Sequence, residues 1–503
     1  MKKSFLLSFF LLAFGAAFAQ WTSPGDGSSF HLSDLVQISD GCVTQDADGT
    51  YHINSDLTIA PNDKLILSDY DAYAGWYFQI DCHADITIQG SINCMEDARG
   101  NVEFHVEDDT CHILLDHCTD SCKFYGATFI GFSGIKMIES PVTFFFCSFL
   151  FFNTSYTSGA VNYMNCSPEF WLCDFEGNEG AAISSGANVT GSPQIYYCTF
   201  RANVLSNQNQ PQINLGPGAD DTIRIVENYI DNAEVLPLRG RPLSMVGGIA
   251  VSDLMQTGST KVLVKDNLIT GHRYGYTQQG YTIDALLVGN TIFDNNAGDD
   301  PMSGGSGVSI YGYSSNCKVK MRDNEIYDNY WGVTAIYVYD IDMGTLDDYG
   351  NNSIYGNHNS GYGTDEEYAL YVNGSNDITA IGNYWGGPDE AYAESVIYHR
   401  PDLGDFYGLV TYAPVLPQNP TGVSAMETHG FTVYPNPAND LIAIETPYYD
   451  VSTREYRITN LTGQTLLTGL LPAETHQINV SSLPAGLYFL TIGNVSTKLM
   501  IRH

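Results

Sequence analysis

Asn324-Glu325-Ile326-Tyr327-Asp328-Asn329 decides the fold, because the chain keeps returning to it. A small or amide residue, any residue, then a large apolar one also appears at Ala127-Thr128-Phe129, Cys147-Ser148-Phe149, Cys173-Asp174-Phe175 and Cys198-Thr199-Phe200. The series continues through Asn228-Tyr229-Ile230, Asn267-Leu268-Ile269, Asn290-Thr291-Ile292, Asn352-Ser353-Ile354 and Asn383-Tyr384-Trp385, with copies 20 to 39 residues apart. Five residues after the first position, a second asparagine recurs at Asn178, Asn203, Asn295, Asn329 and Asn357. A fixed local motif at an irregular period describes rungs of constant cross-section joined by loops of varying length.

An earlier strand accompanies the motif in each rung, as in Gly307-Val308-Ser309-Ile310-Tyr311, Ala335-Ile336-Tyr337-Val338-Tyr339 and Ala369-Leu370-Tyr371-Val372. Its period of two buries one side and wets the other. Rung stacked on rung, equivalent asparagines fall in line and their amides can hydrogen-bond along the stack. Ile292, Ile326 and Ile354 are expected to stack inside. The pattern resembles the right-handed parallel β-helix of the pectin-lyase-like superfamily over roughly residues 50–415. Ile53–Ile59 and Asp85–Ile92 look like opening rungs, and Asn383-Tyr384-Trp385-Gly386-Gly387-Pro388 like a terminal one. Pro414, Pro417 and Pro420 then form a stiff linker.

The C-terminal stretch changes character. Tyr434-Pro435-Asn436-Pro437, Asn460-Leu461-Thr462-Gly463-Gln464, Ser482-Leu483-Pro484-Ala485-Gly486-Leu487-Tyr488 and Lys498-Leu499-Met500-Ile501 follow in order. Short alternating strands punctuated by Pro, Asn and Gly read as a small Ig-like β-sandwich. The ordered motifs resemble the C-terminal sorting domain of the type IX secretion system of Bacteroidetes. At the other end, Met1-Lys2-Lys3, an apolar run from Phe5 to Phe14 and Ala17-Phe18-Ala19 read as a cleaved signal peptide.

The expected fold is all-β, a right-handed parallel β-helix followed by that sandwich. The expected segments are a signal peptide at 1–19, an N-terminal cap with first rungs at 20–120, and the parallel β-helix at 121–416. A linker at 417–428 and a sorting domain at 429–503 complete the chain. The resemblance implies an extracellular or outer-membrane surface location, with the type IX machinery as a partner.

Charge and composition narrow the function. A formal net charge of −36 repels nucleic acid and anionic membrane, so neither is expected as a partner. No apolar run is long enough to span a bilayer. No cofactor is expected, calcium being the one candidate; Asp46-Ala47-Asp48-Gly49-Thr50 starts like a calcium loop but reads better as a β-turn, since Leu57 stands where a bidentate Glu is needed. Of eleven cysteines at least one is left unpaired, barring an intermolecular bond. Cys147, Cys173 and Cys198 hold the position later taken by Asn and are expected to form a buried stack. Cys111, His112, His117, Cys118 and Cys122 are residue types that zinc accepts, but a local disulfide or packing is the preferred reading, and no metal site is assigned.

Catalytic residues do not emerge from the spacing. Asp220 and Asp221 resemble the paired aspartates of polygalacturonase-like hydrolases, without the companion Asn-Thr-Asp or Gly-His-Gly elements. His272 is the nearest substitute, and it falls in a rung turn. Arg201, Arg239, Arg241, Lys265, Arg273 and Arg322 are scattered, whereas a lyase needs its base beside acids. The alternation instead turns Tyr311, Tyr337, Tyr339 and Tyr371 outward, which marks them as ligand-binding candidates for sugar rings. The expected function is a surface protein contacting polysaccharide; the alternative is a polysaccharide lyase or glycoside hydrolase of the same superfamily.

Overall fold

A computed structural model describes residues 20–68, 77–94, 101–106, 110–232, 243–255, 258–298, 300–359, 366–420, 432–434, 436, 438–445, 455–460, 464–470, 477–492 and 495–502. The expected signal peptide and most of the expected linker lie outside the described residues. The chain divides into two compact units, 1–421 and 422–503.

The first unit is a parallel β-helix with three faces. On the first face Ile113 pairs with Ile135, Ile135 with Val161, and Val161 with Ile183, each one rung on. On the second face Phe124 pairs with Phe144, then Phe170, then Ile195. The third face is a 13-stranded sheet in which Phe149, Phe175, Phe200, Ile230, Ile269, Ile292, Ile326 and Ile354 form one column. All eight are buried. Ser306–Arg322 and Trp331–Asp342 run on across the corner between the first and second faces, which joins those two into one 26-stranded sheet.

Both corners of the third face share a backbone device. The residue before each motif position has a left-handed φ: Phe146 (55°), Leu172 (57°), Tyr197 (57°), Glu227 (54°), Asp266 (53°), Asp323 (57°) and Asn351 (50°). Asp294 (52°) and Asp328 (54°) do the same before Asn295 and Asn329. A side chain in this region costs roughly 1–3 kcal/mol and persists only when its surroundings impose it. The imposition comes from the side chain that follows, a thiol after Phe146, Leu172 and Tyr197 and an amide after the others. Asn228 Nδ2 donates to Asn267 Oδ1 at 2.9 Å, and the chain continues through Asn290, Asn324 and Asn352 to Asn383 at 2.8–3.0 Å. Each Oδ1 also accepts the backbone N–H of the preceding rung, as from Asn290 to Asn324 at 3.1 Å. Cys147, Cys173 and Cys198 extend the stack as buried thiols, and Cys198 hands over by donating its backbone N–H to Asn228 Oδ1 at 2.8 Å.

The second ladder has a guest. Asn178 donates to Asn203 Oδ1 at 2.6 Å, and Asn203 to Gln212 Oε1 at 2.7 Å. His272 then stands between Gln212, 2.8 Å from its Nε2, and Asn295, 3.2 Å from its Nδ1. Asn295 passes the chain to Asn329 and Asn357. Asn295 Oδ1 accepts only, so His272 carries its proton on Nδ1 and accepts the Gln212 N–H at Nε2.

Truncating Ile326 to alanine is expected to cost about 2–5 kcal/mol, the lost burial plus the cavity left between Ile292 and Ile354. Chemical denaturation checks this; a loss below about half a kcal/mol would reject the register.

The second unit holds two antiparallel sheets. Thr432–Tyr434, Leu441–Glu445 and Gln477–Asn479 form one; Thr465–Leu470, Glu455–Asn460, Gly486–Ile492 and Val495–Ile501 form the other. Ile442, Ile444, Ile458, Ile478, Leu490, Leu499 and Ile501 fill its core. Asn436, from the Tyr-Pro-Asn-Pro motif, clamps the last strand: its Nδ2 donates to Lys498 O at 3.0 Å and its Oδ1 accepts Met500 N at 2.8 Å.

Candidate functional site on the first face

Aromatic rings cover the outer surface of the first face over its last rungs. At one margin, Tyr337 is 55% exposed. Its φ of 68° turns the side chain out at a corner where the neighbouring rungs carry Gly312 and Gly374. A Cβ on Gly374 would lie 2.2 Å from Tyr337 O, so the close approach requires glycine there. Tyr311 meets the Tyr337 ring edge-on at 5.9 Å, and Tyr313 stacks on it at 6.0 Å. Gln279 Nε2 donates to Tyr313 Oη at 2.6 Å.

At the opposite margin Tyr371 joins a second group. It lies 5.2 Å from Trp331 and pairs in register with Tyr398, while Tyr368 stands 4.5 Å from Tyr398 and 4.6 Å from Trp331. Trp331 Nε1 donates to Pro301 O at 2.8 Å, and the Tyr368 and Tyr398 hydroxyls share Glu366 Oε2 at 2.7 and 3.3 Å. Burial pushes the phenols of Tyr311, Tyr371 and Tyr398 above their ordinary pKa, so they stay protonated and able to donate. Ser309, Thr334 and Asn373 lie between the two groups, in register with their members. Flat apolar rings flanked by amides, hydroxyls and a carboxylate suit a ligand with an apolar face and polar edges.

Of the four tyrosines singled out from the sequence, the structure sets Tyr311 and Tyr337 in one group and Tyr371 in the other. Tyr339 is a correction: only 1% exposed, it points into the core. Ile336 and Val338, which an alternation with Tyr337 and Tyr339 outward would bury, are half-buried and exposed instead. Val333, Ala335, Tyr339 and Ile341 are the buried apolar side chains of this strand. From Val333 to Ile341 the odd-numbered positions face inward, and Tyr337 escapes that phase through its left-handed backbone. Trp331, Tyr368 and Tyr398 had no place in the sequence reading, because they come from different rungs and meet only on folding.

A polar cluster lies at the N-terminal end of the same face. His112 Nδ1 is 2.8 Å from Asp85 Oδ1, and its ring stacks on Tyr156 at 3.7 Å. Lys136 Nζ stands 5.7 Å from the Tyr156 ring centre. Burial, opposed by Asp85, lowers the His112 pKa. His117 turns instead to Asp116 at 2.6 Å, and Cys118 donates to Ile88 O at 3.1 Å, so these do not join His112 in one site. All eleven cysteines are free thiols. Asp221 is engaged by Arg224 at 3.2 Å, and the Asp46–Thr50 segment is a hairpin turn in which Gly49 donates to Asp46 O at 3.0 Å.

Two family models match the chain. Residues 432–502 match the model described as a secretion system C-terminal sorting domain, and residues 200–389 match a protein of unknown function, DUF1565. Among solved structures, a mutant of the periplasmic alginate epimerase AlgG is 9% identical, with a TM-score of 0.40 over 77% of this chain and 83% of that one. A mannuronic acid specific polysaccharide family 6 lyase from human gut microbiota is 10% identical, with a TM-score of 0.31 over 80% of this chain and 88% of that one. No curated protein matches significantly. No helix among the described residues is long and apolar enough to cross a membrane. The chain is a parallel β-helix protein that carries the C-terminal sorting domain of the type IX secretion system.

Proposed function

We propose that this protein, delivered by its sorting domain to the cell surface or beyond, binds polysaccharide through the aromatic groups of the first face. The supporting observation is the pairing of an exposed Tyr337, held out by an unfavourable backbone angle, with Tyr311 and Tyr313 across from the Trp331–Tyr371–Tyr398 group. Tyrosine and tryptophan offer large contact area at low entropic cost. Replacing Tyr311, Tyr337 and Tyr371 together with alanine is expected to abolish glycan-array binding while the melting temperature barely moves. If the rings serve packing alone, the triple variant loses stability, ~0.2–1 kcal/mol per pair, and any glycan affinity persists. That outcome retires the reading.

A second reading, a polysaccharide lyase, is favoured by His112. Asp85 orients its Nδ1, leaving Nε2 as a base beside the Lys136 cation, which suits proton abstraction better than the carboxylate pair that glycoside hydrolysis uses. The same glycan panel separates the two, since a lyase releases unsaturated, ultraviolet-absorbing product and a binding protein releases none.

A further inference from the structure

Phe406 is the most exposed large apolar side chain among the described residues, at 91%, and the backbone holds it out. It sits in the turn 404–408, which joins the first face to the second in the last rung. Gly404 has a φ of 105°, a value that favours glycine, and Tyr407 N donates to Gly404 O at 3.1 Å. Arg400 Nε donates to Tyr407 O at 2.9 Å, and Gly408 N to Gly374 O at 2.8 Å. Asp377 Oδ1 accepts Arg400 Nη2 and Leu409 N at 2.9 and 2.8 Å. Both sides of Phe406 are therefore fixed, yet its ring is left almost wholly in water.

The turn continues the corner that carries Tyr337. Gly312, Tyr337 and Gly374 follow one another in register, and Gly408 bonds to Gly374 one rung on. Two rungs separate the turn from Tyr337, about 10 Å at the usual strand spacing. Gly374 between them adds no side chain. Tyr407 reaches towards the other aromatic group: burial first, and Tyr407 after it, raises the Tyr371 phenol. Val338 and Leu409 are also exposed along this corner, so Phe406 extends an apolar strip.

The ring ladders elsewhere on the helix are different. Trp171 and Tyr196 stack at 4.2 Å, and Phe293, Tyr327 and Tyr355 at 5.1 and 5.4 Å, so each ring covers its neighbour's face. Phe406 keeps its faces free. A free aromatic face stacks on the apolar side of a sugar ring and leaves the hydroxyls to polar neighbours. Those neighbours are carboxylates: Glu366, Asp377, Asp402 and Asp405 are exposed around the aromatic groups and the turn. Arg273, which flanks the Trp331 margin, is spent on Asn209 and Ser303, and Arg400 on Asp377 and Tyr407. With a formal net charge of −36 as well, an acidic chain is repelled. We propose that Phe406 stacks a sugar beyond those held at Tyr337, and that the polysaccharide leaving this end of the first face is uncharged. The assignment rests on the first face being a polysaccharide-binding surface.

Affinity electrophoresis of the full-length chain tests this, in gels that contain a neutral glucan, xylan or mannan, or acidic polygalacturonate or alginate. Retardation is expected in at least one neutral gel and in neither acidic one. Phe406→Ala is expected to weaken that affinity about 5–20-fold, the loss of one ring contact, and Phe406→Trp to retain it. The melting temperature of Phe406→Ala is expected to match the parent, because so exposed a ring has little packing to lose. A parent that no gel retards overturns the proposal together with the first-face reading. Affinity that is unchanged in Phe406→Ala but abolished in the Tyr311, Tyr337 and Tyr371 triple alanine variant overturns the role of Phe406 and leaves that reading standing. Affinity that needs Phe406 but survives the triple variant retires the reading and the shared path with it. Equal or stronger retardation in an acidic gel overturns the uncharged class. If Phe406→Ala instead dissociates a dimer in sedimentation while glycan affinity holds, the ring joins two copies of this chain and the proposal falls.

Discussion

Leucine in place of Asn324 is expected to cost the helix about 4 kcal/mol or more, comparable to the worst cavity mutations in its core. Asn324 Oδ1 accepts both the backbone N–H and the side-chain amide of Asn290, at 3.1 and 2.9 Å. Its Nδ2 donates to Leu287 O at 2.9 Å and to Asn352 Oδ1 at 2.8 Å. The site is fully buried, so no water replaces the lost partners. A buried polar group left unsatisfied costs about 1–3 kcal/mol, and leucine orphans several at once. Denaturant titration of the two proteins measures the difference. A loss below about 1 kcal/mol would mean that the ladder does not hold the corners. Asn324→Cys is expected to fall in between, because Cys198 already occupies the equivalent position four rungs earlier.

The second large effect depends on acidity. Complete burial drives the His272 pKa from 6.5 down to about 3, and the Asn295 hydrogen bond offsets little of this. The unfolded chain therefore takes up a proton before the folded one does. The stability tied to neutral His272 is complete above about pH 6.5, falls as the pH drops, and is exhausted near pH 3. At about 1.4 kcal/mol per unit, the full loss approaches roughly 5 kcal/mol. Asparagine at this position supplies the group used at Asn295 and Asn329 and does not titrate. His272→Asn is thus expected to match the parent near neutrality and to exceed it progressively between pH 6 and pH 3, other acids contributing equally to both. Parallel stability profiles would show that His272 does not carry the acid sensitivity.

The rungs were legible in the sequence wherever geometry demands a specific group. An amide both donates and accepts along a stack and has a second N–H left for a backbone carbonyl, so Asn228 to Asn383 announce themselves. A thiol is the other small polar group tolerated, and Cys147 to Cys198 fit. The second ladder was half legible. His272 stands five residues after Asn267, yet its rung-mate Gln212 comes from a different strand, Pro211–Leu215, at no fixed distance from the motif.

The phase of Trp331–Asp342 was misread because the strand crosses a corner, and Tyr337 breaks an alternation that otherwise runs through Tyr339. Before Ala127 the third face lacks the asparagine motif altogether. Nothing local then places His112 over Asp85, although the two are one rung apart.

The ladders have a direction. In the amide-to-amide bonds every side chain from Asn228 to Asn352 donates towards the C-terminal rung, while its second N–H reaches back to a backbone carbonyl of the preceding rung. Such a chain behaves like a zipper of identical teeth: a tooth in the middle grips two neighbours, and one at the end grips a single neighbour. Rung energies that depend only on adjacent rungs make opening from an end cheaper than opening a gap in the middle. Asn383 closes the upper end by turning both Nδ2 donors inward, to Met343 O and Ala380 O at 2.8 and 2.7 Å, so the last tooth has no unspent grip. The lower end passes to cysteines, whose weaker sulfur hydrogen bonds soften it. Thermal fraying of the asparagine ladder therefore has a preferred starting end, on the cysteine side, and the rungs beneath the aromatic surface at its other end are the part that lets go last.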